Sequence, residues 1–273
     1  MNYQSKLILL GTGTPIPDPD RSGPALAIIA GGDPYIVDFG TGIVRRAVQA
    51  GLDVTELTRA FLTHLHSDHT IGYPDLILTP WVLGRNVPLE VFGPPGIKDM
   101  TDHILRAYKD DIRERLEGLQ PSNDNGWKVN AHEIEEDGVI YKDENIQVEA
   151  FSVSHGFLKT FGYKFVAPDR SIVISSDTAP SDIIIEKARD CDILVHEVYS
   201  VKGFRTRPVD WQKYHSSVHT SSHELAEIAS KARPKLLVLY HQLTWGVSDE
   251  ELLNEVREGY DGDVVSGRDL DVY

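Results

Sequence analysis

The sequence predicts an α/β sandwich, with mixed sheets covered by helices in a single domain. Three observations lead there. Short apolar runs bounded by glycine, proline or aspartate recur along the chain, helical patterns fall between several of them, and no linker or break in composition divides the 273 residues.

The strand-like runs are Lys6–Leu10, Ala25–Ala30, Tyr35–Phe39, Ala60–Thr63, Pro88–Phe92, Ile146–Val153, Phe161–Val166, Ser171–Ser175, Asp192–His196 and Lys235–Tyr240. Helices are expected over Gly42–Ala50, Ser181–Arg189, Ser222–Ala232 and Asp249–Glu258. In the third of these, Leu225, Ile228, Ala229 and Ala232 recur with the period of a helix packed on a sheet. Ile97–Leu119 is helical and charged, and a loop signal follows from Gln120 to Gly126. Residues 97–126 are therefore an insertion or lid, or a solvated helix without a role, inside one domain that spans 1–273.

An apolar content of 41% supplies a core without disulfides, and the one cysteine, Cys191, excludes an intrachain bridge. Cys191 sits in the apolar run Cys191–Val195, where a small buried side chain is expected. This cysteine usage fits a reducing compartment. The N-terminal run Met1–Leu10 meets glycine too early for a secretory signal, and no run approaches the roughly 18 apolar residues of a membrane span. A cytoplasmic protein with no membrane partner is expected. The net charge of −15 disfavours nonspecific binding of polyanions, and no block of lysine and arginine offsets it.

The densest chemistry lies in Phe61-Leu62-Thr63-His64-Leu65-His66-Ser67-Asp68-His69. An apolar strand runs straight into three histidines and an aspartate. His64 and His66 flank Leu65 and so point to one side of an extended chain. Four ligand-type groups within six residues would be costly to desolvate without a cation to share. Further ligand types end other strands: His155 before Gly156, Asp177 in Ser175-Ser176-Asp177-Thr178, and His241 before Gln242. A sandwich that gathers its site at one edge of its sheets would use them together.

His64-Leu65-His66-Ser67-Asp68-His69 resembles the HxHxDH motif of the metallo-β-lactamase superfamily, and His155, Asp177 and His241 follow in that superfamily's order. Leu9-Leu10-Gly11-Thr12-Gly13-Thr14-Pro15, Val37-Asp38-Phe39-Gly40-Thr41-Gly42, His196-Glu197-Val198-Tyr199 and His219-Thr220-Ser221 look like the ribonuclease Z-type branch. Within it, Thr79–Gly84, Gly93-Pro94-Pro95-Gly96, Leu239–Gln242 and Ser266–Tyr273 look most like the arylsulfatase-like group.

The resemblance implies a four-layer αββα sandwich with two mixed sheets and a pair of adjacent divalent ions. Zinc is the expected metal, with manganese or iron as alternatives. His64, His66 and His155 would hold one ion, Asp68, His69 and His241 the other, and Asp177 would bridge them together with a water. The attacking group is then a metal-bridging hydroxide, and no serine or cysteine nucleophile is needed. Asp68, Glu197 and His219 are the expected catalytic residues: Asp68 to accept a proton from the water, Glu197 and His219 to protonate the leaving group from outside the metal shell. The resemblance also implies a homodimer.

Asp38 is read either as holding a ligating histidine from behind or as a loop carboxylate bonded to the Gly40–Gly42 backbone. His215 falls in a loop before His219 and is a candidate lining residue. Trp81, Trp245 and Tyr214 form an aromatic wall, or Trp81 and Trp245 belong to the core. His103, His132 and His223 are surface groups.

These residues predict a hydrolase of a small anionic ester, an aryl or alkyl sulfate or a phosphodiester. The arylsulfatase-like segments favour it over a tRNA 3′-end endonuclease, because such endonucleases usually carry a tRNA-gripping arm between the positions of His155 and Asp177. Here only 177 − 155 = 22 positions separate them. Nucleic acid is accordingly an unexpected partner. A lactonase explains Glu197 and His219 less well, and a non-catalytic metal-binding protein would not be expected to keep a complete ligand set. Elemental analysis of protein purified without added metal should show about two zinc-type ions per chain; a value near zero that metal addition cannot raise would contradict the dinuclear reading.

Overall fold

The computed structural model describes residues 4–273; Met1–Tyr3, the start of the N-terminal run read above, lie outside the described residues. The chain forms two compact units. The first takes the N-terminal strand up to Gly11, Pro15–Glu135 and Asp269–Tyr273; the second takes Thr12–Thr14 and Glu136–Arg268.

The first unit is built on a six-stranded sheet of β1 (Lys6–Gly11), β2 (Ala25–Ala30), β3 (Asp33–Val37), β4 (Arg59–Phe61), β5 (Leu89–Gly93) and β6 (Val129–Glu133), in sequence order. It is mixed: β1–β2 and β2–β3 are antiparallel, and the later pairs are parallel. The parallel strands need crossovers, and these carry α1 (Ile43–Gln49), α2 (Ser67–Thr70), α3 (Tyr73–Val82), α4 (Ile97–Ala107) and α5 (Lys109–Glu117). The helical stretch 97–119 is thus two helices broken at Tyr108. Ile97, Met100, Ile104, Leu105, Ile112 and Leu116 pack it onto the unit's core.

The second unit holds a seven-stranded mixed sheet in the order β13-β12-β11-β10-β9-β8-β7. Its strands are β7 (Gly138–Lys142), β8 (Gln147–His155), β9 (Leu158–Val166), β10 (Ser171–Ile174), β11 (Ile193–Tyr199), β12 (Leu236–Leu243) and β13 (Val264–Ser266). β7 to β10 run antiparallel, and β10 to β13 are parallel. α6 (Asp182–Lys187), α7 (Val201–Phe204), α8 (Val209–Val218), α9 (Ser222–Ala232) and α10 (Asp249–Arg257) belong to this unit. Leu225, Ile228, Ala229 and Ala232 of α9 are buried, as their period requires, and Cys191 is a buried free thiol. Both α9 and α10 begin with capping boxes, Ser221 with Glu224 and Ser248 with Glu251.

Sequence periodicity did not reveal α8. Its residues Val209–Val218 mix aromatic, polar and charged groups, and the stretch reads as loop; in the structure His215 lies inside this helix, not in a loop before His219. Trp81 is core: its ring is buried and its indole N–H donates to the Asn123 carbonyl at 2.9 Å.

Arg85 ties the end of the 97–126 segment to the first unit. It is 1% exposed and donates to four carbonyls: Leu57 (2.9 Å), Leu76 (3.0 Å), Ile77 (2.6 Å) and Gly126 (2.8 Å). Gly126 is required there, since a Cβ would sit 1.8 Å from the Arg85 carbonyl oxygen. Burial lowers the Arg85 pKa only to about 10, so the guanidinium stays charged at neutral pH. Arg85→Ala leaves four carbonyls without this donor and opens a cavity, so chemical denaturation should show a loss of about 3–5 kcal/mol in unfolding free energy. A loss below about 1 kcal/mol would show that water replaces the guanidinium.

Candidate functional site

In the first unit, the candidate ligands follow β4. Thr63 and His64 are fully buried, His66 caps α2, and His69 closes that single turn, also buried. What orders them is Asp38, just past β3. Its backbone takes a positive φ of 58°, a conformation few non-glycine residues adopt. The carboxylate faces inward and accepts from the Thr63 N–H at 2.8 Å, from the Thr63 hydroxyl at 3.0 Å and from His69 Nδ1 at 2.8 Å. Of the two readings of Asp38, it therefore plays the one that backs a histidine.

The hydrogen-bond arithmetic sets the tautomers. A carboxylate only accepts, so His69 carries its proton on Nδ1 and keeps a lone pair on Nε2. The single Thr63 hydroxyl proton goes to Asp38, so His64 Nδ1, 2.9 Å from the same oxygen, must donate to it. His64 Nε2 is left with a lone pair, 3.0 Å from His66 Nδ1. Two imidazole nitrogens at that separation share either a proton or a cation.

Close backbone approach keeps this loop in place. Phe39 N–H donates to the His69 carbonyl at 3.0 Å, and a Cβ on Gly40 would lie 2.6 Å from the Asp68 carbonyl oxygen. The glycine of Val37-Asp38-Phe39-Gly40 is a packing requirement.

In the second unit, His155, Asp177 and His219 bring ligand-type atoms within 4.8 Å of one another, all three buried. His155 donates from Nδ1 to the Val218 carbonyl at 2.8 Å, which leaves the Nε2 lone pair turned to Asp177. Asp177 Oδ2 is 3.9 Å from His155 Nε2 and 3.5 Å from His241 Nε2. These gaps are too long for hydrogen bonds. The 3.5 Å gap is close to the spacing of about 3.4 Å between two tetrahedral ligands each about 2.1 Å from an ion. Burial lowers the His155 pKa despite Asp177, which favours the neutral, ligating form.

Backbone strain marks the same places. His241 is the extra residue of a bulge in β12, where Tyr240 pairs with Glu197 and Gln242 with Val198, and its φ is 43°. Ser176, next to Asp177, has a φ of 63°. Positive φ at Asp38, Ser176 and His241 stores strain where ligand-type side chains are aimed.

Glu197 on β11 is fully buried. Its Oε1 accepts from Thr178 N–H (3.2 Å), Thr220 N–H (2.9 Å) and His219 Nδ1 (3.3 Å). Burial, reinforced by the charge of Asp177, raises its pKa well above the usual carboxylate value. The expected Glu197–His219 pair is thus in contact. His219 caps the C-terminal end of α8, and its ring lies 5.0 Å from that of His155. His103, His132 and His223 are exposed and pair with Asp99, Glu90 and Glu258. His196, beside Glu197, is completely buried and its pKa falls to about 4, so it is a neutral core residue.

Residues 5–251 match the family described as Anti-Pycsar protein Apyc1. The chain belongs to this family, among the metallo-β-lactamase-fold hydrolases. This Apyc1-family chain is 32% identical to ribonuclease Z of Mycobacterium marinum over 250 residues, which is 90% of this chain and 89% of the relative. Its fold matches that of human tRNase Z, short form, with a TM-score of 0.73 at 23% identity and 98% coverage of both chains. The metallo-β-lactamase fold protein YhfI of Bacillus subtilis also superposes with a TM-score of 0.73, at 17% identity and 98% coverage of each. Two mixed sheets in an α/β chain are what this fold requires.

Two expectations are corrected. Hydrolysis of a small sulfate or phosphate ester gives way to the ribonuclease Z alternative, because the relatives that share most of this chain are ribonucleases Z. The view of nucleic acid as an unexpected partner falls with it. The short His155–Asp177 interval misled: a ribonuclease Z is matched over 89% of its own length, so little of it lies outside the match. The charge argument failed because a diffuse field is screened beyond about 8–10 Å and does not govern close contacts.

Among the described residues no helix is long and apolar enough to cross a membrane. Asp38→Ala should weaken metal affinity about 10–100-fold in chelator competition, since His69 loses the group that fixes its tautomer. Unchanged affinity would mean that His69 does not bind through Nε2.

Proposed function

We propose that this chain is a metal-dependent phosphodiester hydrolase of the ribonuclease Z type, cutting RNA at the 3′ end of tRNA. The observation that carries the reading is the 32% identity with a ribonuclease Z across about nine tenths of both chains. The proposed ligands are His64, His66, Asp68, His69, His155, Asp177 and His241, and nitrogen and carboxylate donors without thiolate suit zinc. Bound there, two such ions supply Lewis acidity and a water of lowered pKa. The free, buried Cys191 supports a reducing compartment such as the cytoplasm.

The chain's own residues supply the proton chemistry. Asp68 accepts a proton from the attacking water. His219 donates one to the ribose oxygen that leaves. Glu197 accepts a hydrogen bond from His219 Nδ1, which orients the ring so that Nε2 carries the transferable proton. The backbone N–H groups of Thr178 and Thr220 hold that carboxylate still while the proton moves.

The family match over residues 5–251 favours a second reading, action against Pycsar. In cells that carry Pycsar the chain would then block it, and the His66→Ala variant would not.

Metal-loaded protein should cleave a precursor tRNA at one site near its 3′ end. His219→Ala should keep its metal yet lose about 10²–10⁴-fold in kcat. Replacing the leaving ribose oxygen by sulfur, which departs without a proton, should recover most of that loss. Absent or unspecific cleavage would overturn the endonuclease reading; an equal loss on both substrates would make His219 a positioning residue.

A further inference from the structure

The helix that delivers His219 carries a second group of side chains. Trp211, Tyr214 and His215 stand at i, i+3 and i+4 on α8, so they share a face. The buried ring of His215 stacks on Trp211, with centroids 5.5 Å apart and planes 22° apart, and meets Trp245 at 4.6 Å. Trp211 and Tyr214 are 49% and 42% exposed, so each keeps aromatic surface open to solvent. The cluster runs directly into the Glu197–His219 pair: the His219 ring is 5.5 Å from His215 and 6.4 Å from Tyr214.

Arg207 lies over this cluster, its guanidinium carbon 5.9 Å from the Trp211 ring and 5.7 Å from the Trp245 ring. Among the described residues it forms no ion pair with a carboxylate, although the chain carries 42 acidic residues. Its Nε and the Nδ1 of His215 are buried without hydrogen-bond partners. His215 is held neutral by burial, its pKa lowered to about 4, so its ring offers one donor and one acceptor. Exposed aromatic faces, an arginine without an acid and an unpaired imidazole nitrogen together suit a ligand with a flat π face, polar edges and a negative charge. A nucleotide has all three.

We propose that Trp211, Tyr214, His215 and Arg207 form a nucleobase-stacking subsite for the nucleotide beside the phosphate to be cleaved. The base packs against the solvent-exposed part of Trp211, and Arg207 meets a phosphate of the same strand. Every base has a π face, so the subsite favours an unpaired nucleotide over a particular sequence. The proposal rests on the ribonuclease Z reading only in taking the ligand to be a nucleotide of RNA.

Equilibrium dialysis of the full chain tests it, with adenosine 5′-monophosphate as the probe and ribose 5-phosphate as the comparison that lacks a base. The nucleotide should bind about tenfold more tightly than the sugar phosphate. Trp211→Ala should erase that difference, Trp211→Phe should keep most of it, and Arg207→Gln should weaken both probes by a similar factor. In cleavage of precursor tRNA, Trp211→Ala should raise KM more than it lowers kcat. Equal binding of the two probes by the unmodified chain, or unchanged nucleotide affinity in Trp211→Ala, would overturn the subsite. Base-dependent binding without tRNA cleavage would uphold the subsite and sink the endonuclease reading; cleavage with equal probe binding would do the reverse.

Discussion

The carboxylate of Asp38 is the constraint on which the first half of the candidate site depends. It is buried, held in a left-handed backbone conformation, and satisfied by donors from Thr63 and His69. Through His69 Nδ1 it fixes one imidazole directly, and through the Thr63 hydroxyl it fixes His64 at one remove. Two Nε2 lone pairs are thereby presented before any ligand arrives. Burying one carboxylate has a cost in desolvation, and the hydrogen bonds from Thr63 and His69 offset it. The return is preorganisation, since no ring needs to rotate or change tautomer on binding.

The second unit uses the same device at Glu197. Its Oε1 gathers Thr178, Thr220 and His219 from separate stretches of chain, so one atom fixes the loop after Asp177 and the start of the His219-Thr220-Ser221 segment. The strained backbone at Ser176 and His241 completes that frame. Side chains that serve the proposed chemistry are thus held by buried carboxylates and bulges, while α9 and α10 pack conventional apolar faces. The aromatic group on α8 joins this frame at His219, which places the proposed base-binding surface beside the proposed proton donor.

Much of this was legible in the sequence, for identifiable reasons. Strand runs such as Ala25–Ala30 are buried on both faces and read as continuous apolar segments. His64-Leu65-His66-Ser67-Asp68-His69 was legible because so many ligand types cannot share a few residues without purpose, and the Glu197–His219 contact followed from the branch resemblance. The edge strand β6 was legible only as a polar strand around His132, and β7 was not legible, since its residues are at most half-buried and carry no long apolar run. Helix α8 was hidden by its function-like composition, in which aromatic residues replace the usual apolar stripe. Arg207 and Arg85 gave no signal, because an arginine that stacks or that donates to carbonyls looks in sequence like any surface cation. Substrate class was beyond reach for a different reason: net charge describes the distant field, and substrate choice is made by contacts at a few ångströms.

Anomalous diffraction at the zinc edge, from crystals of the metal-loaded chain, tests the central claim that Asp38 and Thr63 set the histidines for metal. The expected result is strong peaks bonded to Nε2 of His64 and of His69, with Nδ1 of His69 still on Asp38. Peaks only at exposed histidines such as His103 and His132, or an ion on Nδ1 of His69 with the Asp38 contact broken, would contradict it.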